Sequence, residues 1–208
     1  MTFDRKAHWE NVYREKSPLD VSWYQEKLSI SLKLIRSAQV SSGELIIDVG
    51  GGASTLADCL IEEGYTNITV LDISKKALAC AKTRLGPLEQ RIDWCELDVT
   101  EYDASHHSSV WHDRALFHFL TRESDRRTYI KALRNSLRSG GHLIMAGFAI
   151  GGPPKCSGLD VVQYDAVSLM AQLGKGFELL EEKNEAHLTP TNRKQDFLYC
   201  HFVRTSSP

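Results

Sequence analysis

Apolar and polar positions alternate along this chain in two rhythms that replace one another. Trp9, Val12 and Tyr13 share one face of a predicted N-terminal helix, and Leu28, Leu32, Leu34 and Ile35 mark a second ending near Ala38. Glu44 to Val49 is then a short apolar run with β-branched residues, closed by Gly50-Gly51-Gly52, and reads as a buried strand entering a tight turn. Ser54 is placed to cap the helix that follows through Leu60 to Gly64. The unit repeats: a strand over Asn67 to Leu71, a helix over Lys75 to Leu85 and a strand over Ile92 to Glu96. A weaker strand spans Ser109 to His112 and a helix Ser124 to Leu137. Ser139-Gly140-Gly141 stops that helix before a strand at Leu143 to Ala146. After a helix over Tyr164 to Leu173, the pattern ends with strands Phe177 to Lys183 and Phe197 to Val203, close enough in sequence to pair antiparallel.

Short apolar strands alternating with helices imply an α/β fold, a mostly parallel, doubly wound sheet with helices on both faces. No repeat, low-complexity tract or linker divides the 208 residues, so one domain is expected over 1–208, with a helical front segment at 1–40 and an α/β core at 41–208. A net charge of −2 gives no general attraction to phosphate backbones, which argues against nucleic acid as the partner. Residues 1–10 are charged and lack the apolar centre of a secretory signal. The longest apolar run, Leu143 to Ile150, is too short to cross a bilayer, so no membrane role is expected. The five cysteines have no zinc-like spacing and suit a reducing, cytoplasmic setting.

The strongest chemical signal is Asp48-Val49-Gly50-Gly51-Gly52-Ala53-Ser54, a strand end, a glycine turn and a helix start. Glycines let the backbone take positive φ and admit a ligand closely. In doubly wound sheets ligands bind beyond the carboxyl ends of the strands. Asp72, at the end of the second strand, suits the two hydroxyls of a ribose, and Asp98, after the third, an adenine amino group. Two cofactors compete for such a site. A dinucleotide fingerprint asks for a third glycine where Thr55 stands, whereas the nucleoside of S-adenosylmethionine has no pyrophosphate to cradle.

Asp48-Val49-Gly50-Gly51-Gly52, Val70-Leu71-Asp72 and Leu97-Asp98-Val99 resemble the first three motifs of the class I S-adenosylmethionine-dependent methyltransferases. Gly140-Gly141-His142-Leu143-Ile144 resembles the family's glycine turn before its fifth strand, and the closing strand pair resembles its reversed seventh strand. The resemblance runs over nearly the whole chain. It implies a Rossmann-like, seven-stranded sheet with a C-terminal antiparallel strand. It also implies that Asp48 orients a turn, Gly50 to Gly52, lying near the amino-acid part of the cofactor. Asp72 with Ile73 would hold the ribose, and Asp98 with Val99 would contact adenine. His8 to Tyr13 and Ser22-Trp23-Tyr24 resemble the family's N-terminal lid, with Tyr24 the preferred lid residue.

Trp111 to Phe119 and Cys156-Ser157-Gly158-Leu159, together with His187-Leu188-Thr189-Pro190 and Gln195-Asp196-Phe197, resemble a bacterial subgroup of these enzymes. In the family the end of the fourth strand faces the transferable methyl. That makes Asp113 the first candidate to orient or deprotonate a nucleophile, with His118 and His187 behind it. Arg114 is a partner for Asp113 or for a substrate carboxylate. His106-His107 has only Asp103 nearby, so no metal is expected. Arg127, Lys131, Arg134 and Arg138 read as a solvated helix face, and the loop from Gly151 to Ser157 as a substrate gate. The expected activity is methyl transfer to a small molecule, with a protein lysine side chain or a nicotinamide-dependent oxidation as rivals.

Overall fold

The computed structural model describes residues 3–103 and 107–205. Two helices, α1 (Arg5–Glu15) and α2 (Ser29–Ser37), precede the alternating core. The core runs β1 (Ile46–Val49), α3 (Leu56–Glu62), β2 (Ile68–Asp72), α4 (Lys75–Leu85), β3 (Ile92–Glu96), β4 (Ser108–Arg114), α5 (Glu123–Ser136) and β5 (Leu137–Phe148). A small hairpin, β6 (Lys155–Cys156) and β7 (Leu159–Asp160), then leads to α6 (Ala166–Leu173), β8 (Phe177–Leu188) and β9 (Lys194–Arg204). Seven strands form one sheet in the order β3-β2-β1-β4-β5-β9-β8, in which β9 runs against its neighbours. The expected Rossmann-like α/β architecture is present.

Burial on both faces explains the near-continuous apolar strands. All four residues of β1 and all five of β2 are buried. Along β1, Ile46 packs into a layer with α2, α3 and α4, while Ile47 and Val49 pack into the opposite layer with α5 and α6. Helix ends follow local chemistry. Ser74 accepts from the Ala77 amide at the start of α4, and Asp165 and Ser168 cap each other's backbone at the start of α6. Ser54 bonds the Leu56 amide, but the cap position falls on Thr55, one residue after the Ser54 expected, and α3 begins at Leu56.

One boundary differs from the sequence reading. α5 ends at Ser136, and the glycine pair lies inside β5 rather than beyond a helix end. The β4–β5 register jumps from Ser108↔Leu137 to Val110↔His142, so residues 138–141 bulge out of the ladder. Gly141 is needed there because a Cβ would stand 2.8 Å from the Arg138 carbonyl. The closing strands are also longer than expected, since edge positions with exposed charges carry no apolar period. Of the basic residues expected on one helix face, Arg127 pairs with Glu123 and Arg134 donates to the Leu173 carbonyl on α5, while Arg138 lies in β5 and binds Glu44.

β1, β2 and β3 step outward in one direction, and the chain then returns to place β4 on the other side of β1. The crevice between β1 and β4 is therefore the topological switch point of the sheet. A buried relay braces β4 from α5: the Trp111 indole N–H donates to the Tyr129 hydroxyl at 2.9 Å, which donates to Asp113 Oδ2 at 2.6 Å. Tyr129→Phe strips both partners at once, and we expect urea denaturation to show a loss of about 1–3 kcal/mol.

Candidate active site

At the tip of β1 the backbone turns through Gly50 (φ 67) and Gly52 (φ 42). A Cβ on Gly50 would stand 2.6 Å from Leu116 Cδ1, and one on Gly52 2.6 Å from Asp72 Oδ2. A Cβ on Gly51 would collide with the Asp48 carboxylate. Asp48 is buried beneath the turn. Its Oδ1 meets His112 Nδ1 at 2.7 Å, and His112 Nε2 meets Ser31 Oγ at 2.8 Å, while Oδ2 has no hydrogen-bond partner among the described residues.

Above the switch point opens a cavity of about 720 Å³, within the range of small-ligand sites. Gly50, Asp72, Ile73, Asp98 and Val99 line it together, as does the β4 tip from Arg114 to Leu116. Ala115 holds φ 67, a left-handed conformation that costs a non-glycine residue on the order of 1–3 kcal/mol and turns the chain sharply at the cavity wall. Asp72 uses Oδ1 to accept from the Ser74 amide at 2.7 Å. Burial, and next to it the charges of Asp48 and Glu10, push its carboxyl up to about 7. Asp98 is already engaged: Oδ1 accepts from the Thr100 amide and hydroxyl, and Oδ2 from Arg5 at 3.1 Å.

That Arg5 belongs to α1, which closes one side of the cavity. Arg5 also pairs with Asp125, Lys6 with Glu96 at 2.6 Å, and Glu10 accepts from Ser74 Oγ and the Lys76 amide. The segment after α1 is held by its carbonyls. His187 Nε2 lies 2.7 Å from that of Ser22, Arg114 donates to that of Trp23 and Thr55 to that of Gln25.

Residues 46–141 match a family model described as a methyltransferase domain. That match covers a little under half of the chain, from β1 to the glycine pair of β5. The eEF1A lysine and N-terminal methyltransferase of Mus musculus is 24% identical over 101 residues, covering 49% of this chain and 14% of that protein. The ubiquinone biosynthesis O-methyltransferase of Dechloromonas aromatica is 28% identical over 85 residues, covering 41% of this chain and 32% of that one. This chain thus spans well under two thirds of either relative. Its fold is similar to that of the Burkholderia thailandensis 1,6-didemethyltoxoflavin-N1-methyltransferase, solved with 1,6-didemethyltoxoflavin and S-adenosylhomocysteine bound. The TM-score is 0.73 at 15% identity, over 97% of this chain and 87% of that chain.

Within this methyltransferase fold the residues expected from sequence separate into three groups. Gly50, Asp72, Ile73, Asp98 and Val99 meet on the main cavity wall. Asp48, Gly51 and Tyr24 instead line a small cleft behind the glycine turn, and Gly52 packs against Asp72 beneath it. Trp9, Tyr13 and Trp23 occupy the lid position assigned to Tyr24. They were visible only as aromatics on predicted lid segments, because which ring faces the cavity depends on how α1 docks.

Asp113 and His118, expected to be catalytic, are not on the cavity wall. Asp113 is fully buried, taking the Tyr129 hydroxyl on one oxygen and the Leu116 and Phe117 amides on the other. It shapes the β4 tip from behind. His118 is buried against Phe148 and Phe119, its Nδ1 accepts from the Phe148 amide at 3.4 Å, and burial pushes its pKa down to about 3. Both side chains are directed into the core rather than onto the cavity wall. Cys156 is buried 3.9 Å from Ser22 Oγ, and burial pushes its thiol up to about 11, which removes the nucleophilic thiolate at neutral pH. His106 lies outside the described residues, and His107 lines a surface depression with Asp103, apart from this cavity. Among the described residues no helix is long and apolar enough to cross a membrane.

The raised Asp72 pKa has a definite sign for stability. The folded chain binds this proton more tightly than the unfolded chain, so the group lowers stability as pH rises from about 4 to about 7, and its full cost remains above that. Asp72→Asn should therefore stabilise the unliganded protein at pH 8 by roughly 1–3 kcal/mol and have little effect at pH 4, as read by denaturant titration at both values.

Proposed function

We propose that the chain transfers a methyl group from S-adenosylmethionine to a small molecule. The observation that carries this reading is the placement of Asp72 Oδ2, facing Gly52, on the wall of the same cavity that Gly50, Ile73 and Val99 line at the switch point. The fit to a nucleoside is specific. The turn has no room for a Cβ, Asp48 retains an unpartnered oxygen beside it, and Asp72 offers a carboxylate oxygen that its own backbone does not use.

Bound S-adenosylmethionine supplies an electrophilic methyl on a sulfonium, a leaving group that needs no protonation. The protein's work is then alignment and exclusion of water. On this reading Gly50 to Gly52 admit the amino-acid end, and the His112–Asp48 pair fixes the turn that borders it. Asp72 accepts hydrogen bonds from the ribose hydroxyls, beside Ile73. Leu97 and Val99 border the adenine, and Asp98 anchors Arg5 of the lid next to it. The β4 tip, held by Asp113, brings Ala115 and Leu116 to the reacting end. Enclosure by α1 and the β6–β7 hairpin favours a small acceptor over a protein lysine. The five cysteines, all free, support a reducing, cytoplasmic setting.

Isothermal titration with S-adenosylmethionine, S-adenosylhomocysteine and NAD is the direct test. We expect the first two to bind and NAD not to; NAD binding alone would reverse the assignment. Affinity for S-adenosylmethionine should weaken as pH falls below about 7, because a protonated Asp72 accepts one fewer hydrogen bond. In Asp72→Asn that pH dependence should vanish, with affinity lower by on the order of 1–3 kcal/mol. Transfer of a radioactive methyl to the small-molecule fraction of a cell extract, and not to its proteins, is the expected distribution.

A further inference from the structure

Beyond the β4 tip the cavity changes character. Trp9, Trp23, Phe119, Leu120 and Leu159 add an apolar, largely aromatic lining to it. Trp9 stands edge-to-face with Trp23 (5.8 Å between ring centres, 84° between planes) and with Phe119 (4.9 Å, 78°). The three rings come from α1, the segment after it and the turn after β4, so the lid and the core build this box jointly. Such walls favour a flat apolar guest, which stacks on ring faces or meets their edges.

The chemistry of the box is as telling as its shape. Beside the rings the cavity carries Tyr13, Arg114, Arg5, Arg122, Asp125 and Asp160. Its remaining acids are engaged or exposed: Asp72 faces the ribose on the reading above, Asp98 holds Arg5, Glu96 holds Lys6, and Asp4 and Glu101 are exposed. Tyr13 keeps its proton, because burial and the charge of Asp72 push its hydroxyl far up. The arginines only donate hydrogen bonds. Arg114 is largely spent on structure: its side chain is 6% exposed, and it donates from Nε to the Tyr199 hydroxyl and from Nη1 to the Trp23 carbonyl while stacking on Phe197, which leaves Nη2 without a hydrogen bond among the described residues. The two carboxylates sit with cations at the rim, Asp125 on Arg5 and Asp160 on Lys155, the latter side chain 75% exposed. Asp113, His112 and His118 face into the protein. With the cofactor's ribose on Asp72, the described residues leave the box no free group placed to take a proton from an incoming nucleophile.

We propose that the acceptor is a planar aromatic molecule whose methylated atom carries a free lone pair at neutral pH before it enters, an arenethiolate or a heteroaromatic ring nitrogen. This rests on the methyltransferase reading above and narrows its substrate. The acceptor's lone pair forms the new bond to the methyl carbon, the carbon–sulfur bond breaks with its electron pair returning to sulfur, and no proton moves in the step. A sulfonium loses its charge to a neutral thioether. An arenethiolate becomes a neutral aryl methyl sulfide, and a ring nitrogen becomes a methylated cation. A dry aromatic enclosure accelerates this charge-dispersing displacement without needing a base.

The test uses the full chain, radiolabelled S-adenosylmethionine and five probes at neutral pH. Benzenethiol and quinoline carry the free lone pair; phenol, benzylamine and mercaptoethanol are protonated at the reacting atom. At least one of the first two should be methylated more than ~100-fold faster than any of the other three, the lower end of what one missing proton-transfer catalyst costs. Across substituted benzenethiols, the inflection of the pH–rate profile should move with each thiol's own acidity. An inflection fixed by the enzyme would reveal a base and overturn the proposal. Phe119→Leu should raise the acceptor KM several-fold with S-adenosylmethionine affinity unchanged, and Trp9→Leu, on a helix with only half-buried residues on its inner face, makes the same measurement if the first variant folds poorly. Cofactor binding with transfer only to amines, alkyl thiols or proteins, or to none of the probes, overturns this inference and leaves the methyltransferase reading standing. Failure to bind the cofactor at all would instead remove the reading beneath it.

Discussion

The tip of β1 is crowded from three sides, and the geometry of the cavity wall follows from that crowding. Leu116 presses on Gly50 from one side, the Asp48 carboxylate lies under Gly51 and the Asp72 carboxylate under Gly52. Three side chains from three strand ends thus occupy the space that Cβ atoms would take. What the turn gives up in packing it returns as access: backbone borders the cavity, and two carboxylates stand close to it. The Ser31–His112–Asp48 chain of hydrogen bonds sets the floor of this arrangement and links α2 to β4 and β1.

The second strand end, β4, is shaped by a different device. A left-handed Ala115 turns the chain at once, and Asp113 behind it takes the two amides that the turn frees. Tyr129 completes the hydrogen bonding of that carboxylate, so strain at the cavity wall is balanced by a buried network in the core. The Asp-Arg pair at this strand end divides its labour: Asp113 holds the wall from inside, and Arg114 ties the lid segment to β9 and β8 through Trp23 and Tyr199.

Electrostatic cost is concentrated where ligand is to bind. Asp72 is buried beside Asp48 and Glu10, with one backbone amide in support, and its carboxyl is pushed up toward neutrality. A polar ligand with two hydroxyl donors relieves that cost, which converts a local weakness of the folded chain into binding energy. The lid uses the opposite economy. α1 has only half-buried residues on its inner face and is held by partly exposed ion pairs with Asp98, Asp125 and Glu96, contacts that are each weak and screened by salt.

Local pattern alone was enough for the strand–helix alternation, the glycine turn and the acidic strand ends, because each depends on residues near one another in sequence. Apolar runs such as Ile46 to Val49 require burial on both faces, and Gly50 to Gly52 require an unobstructed turn, whatever the neighbours are. The roles of Asp113, His118 and Tyr24 were not legible in that way. Each is polar and stands beside a motif, and whether such a side chain faces the cavity or the core is settled by partners 16 to 30 residues away, as Tyr129 is for Asp113 and Phe148 for His118. The same holds for the aromatic box, assembled by docking α1 across the sheet. The sequence by itself determined which strand ends carry the glycines and the acids; tertiary packing decided which side chains share one cavity wall, since that depends on contacts between distant segments and not on local spacing.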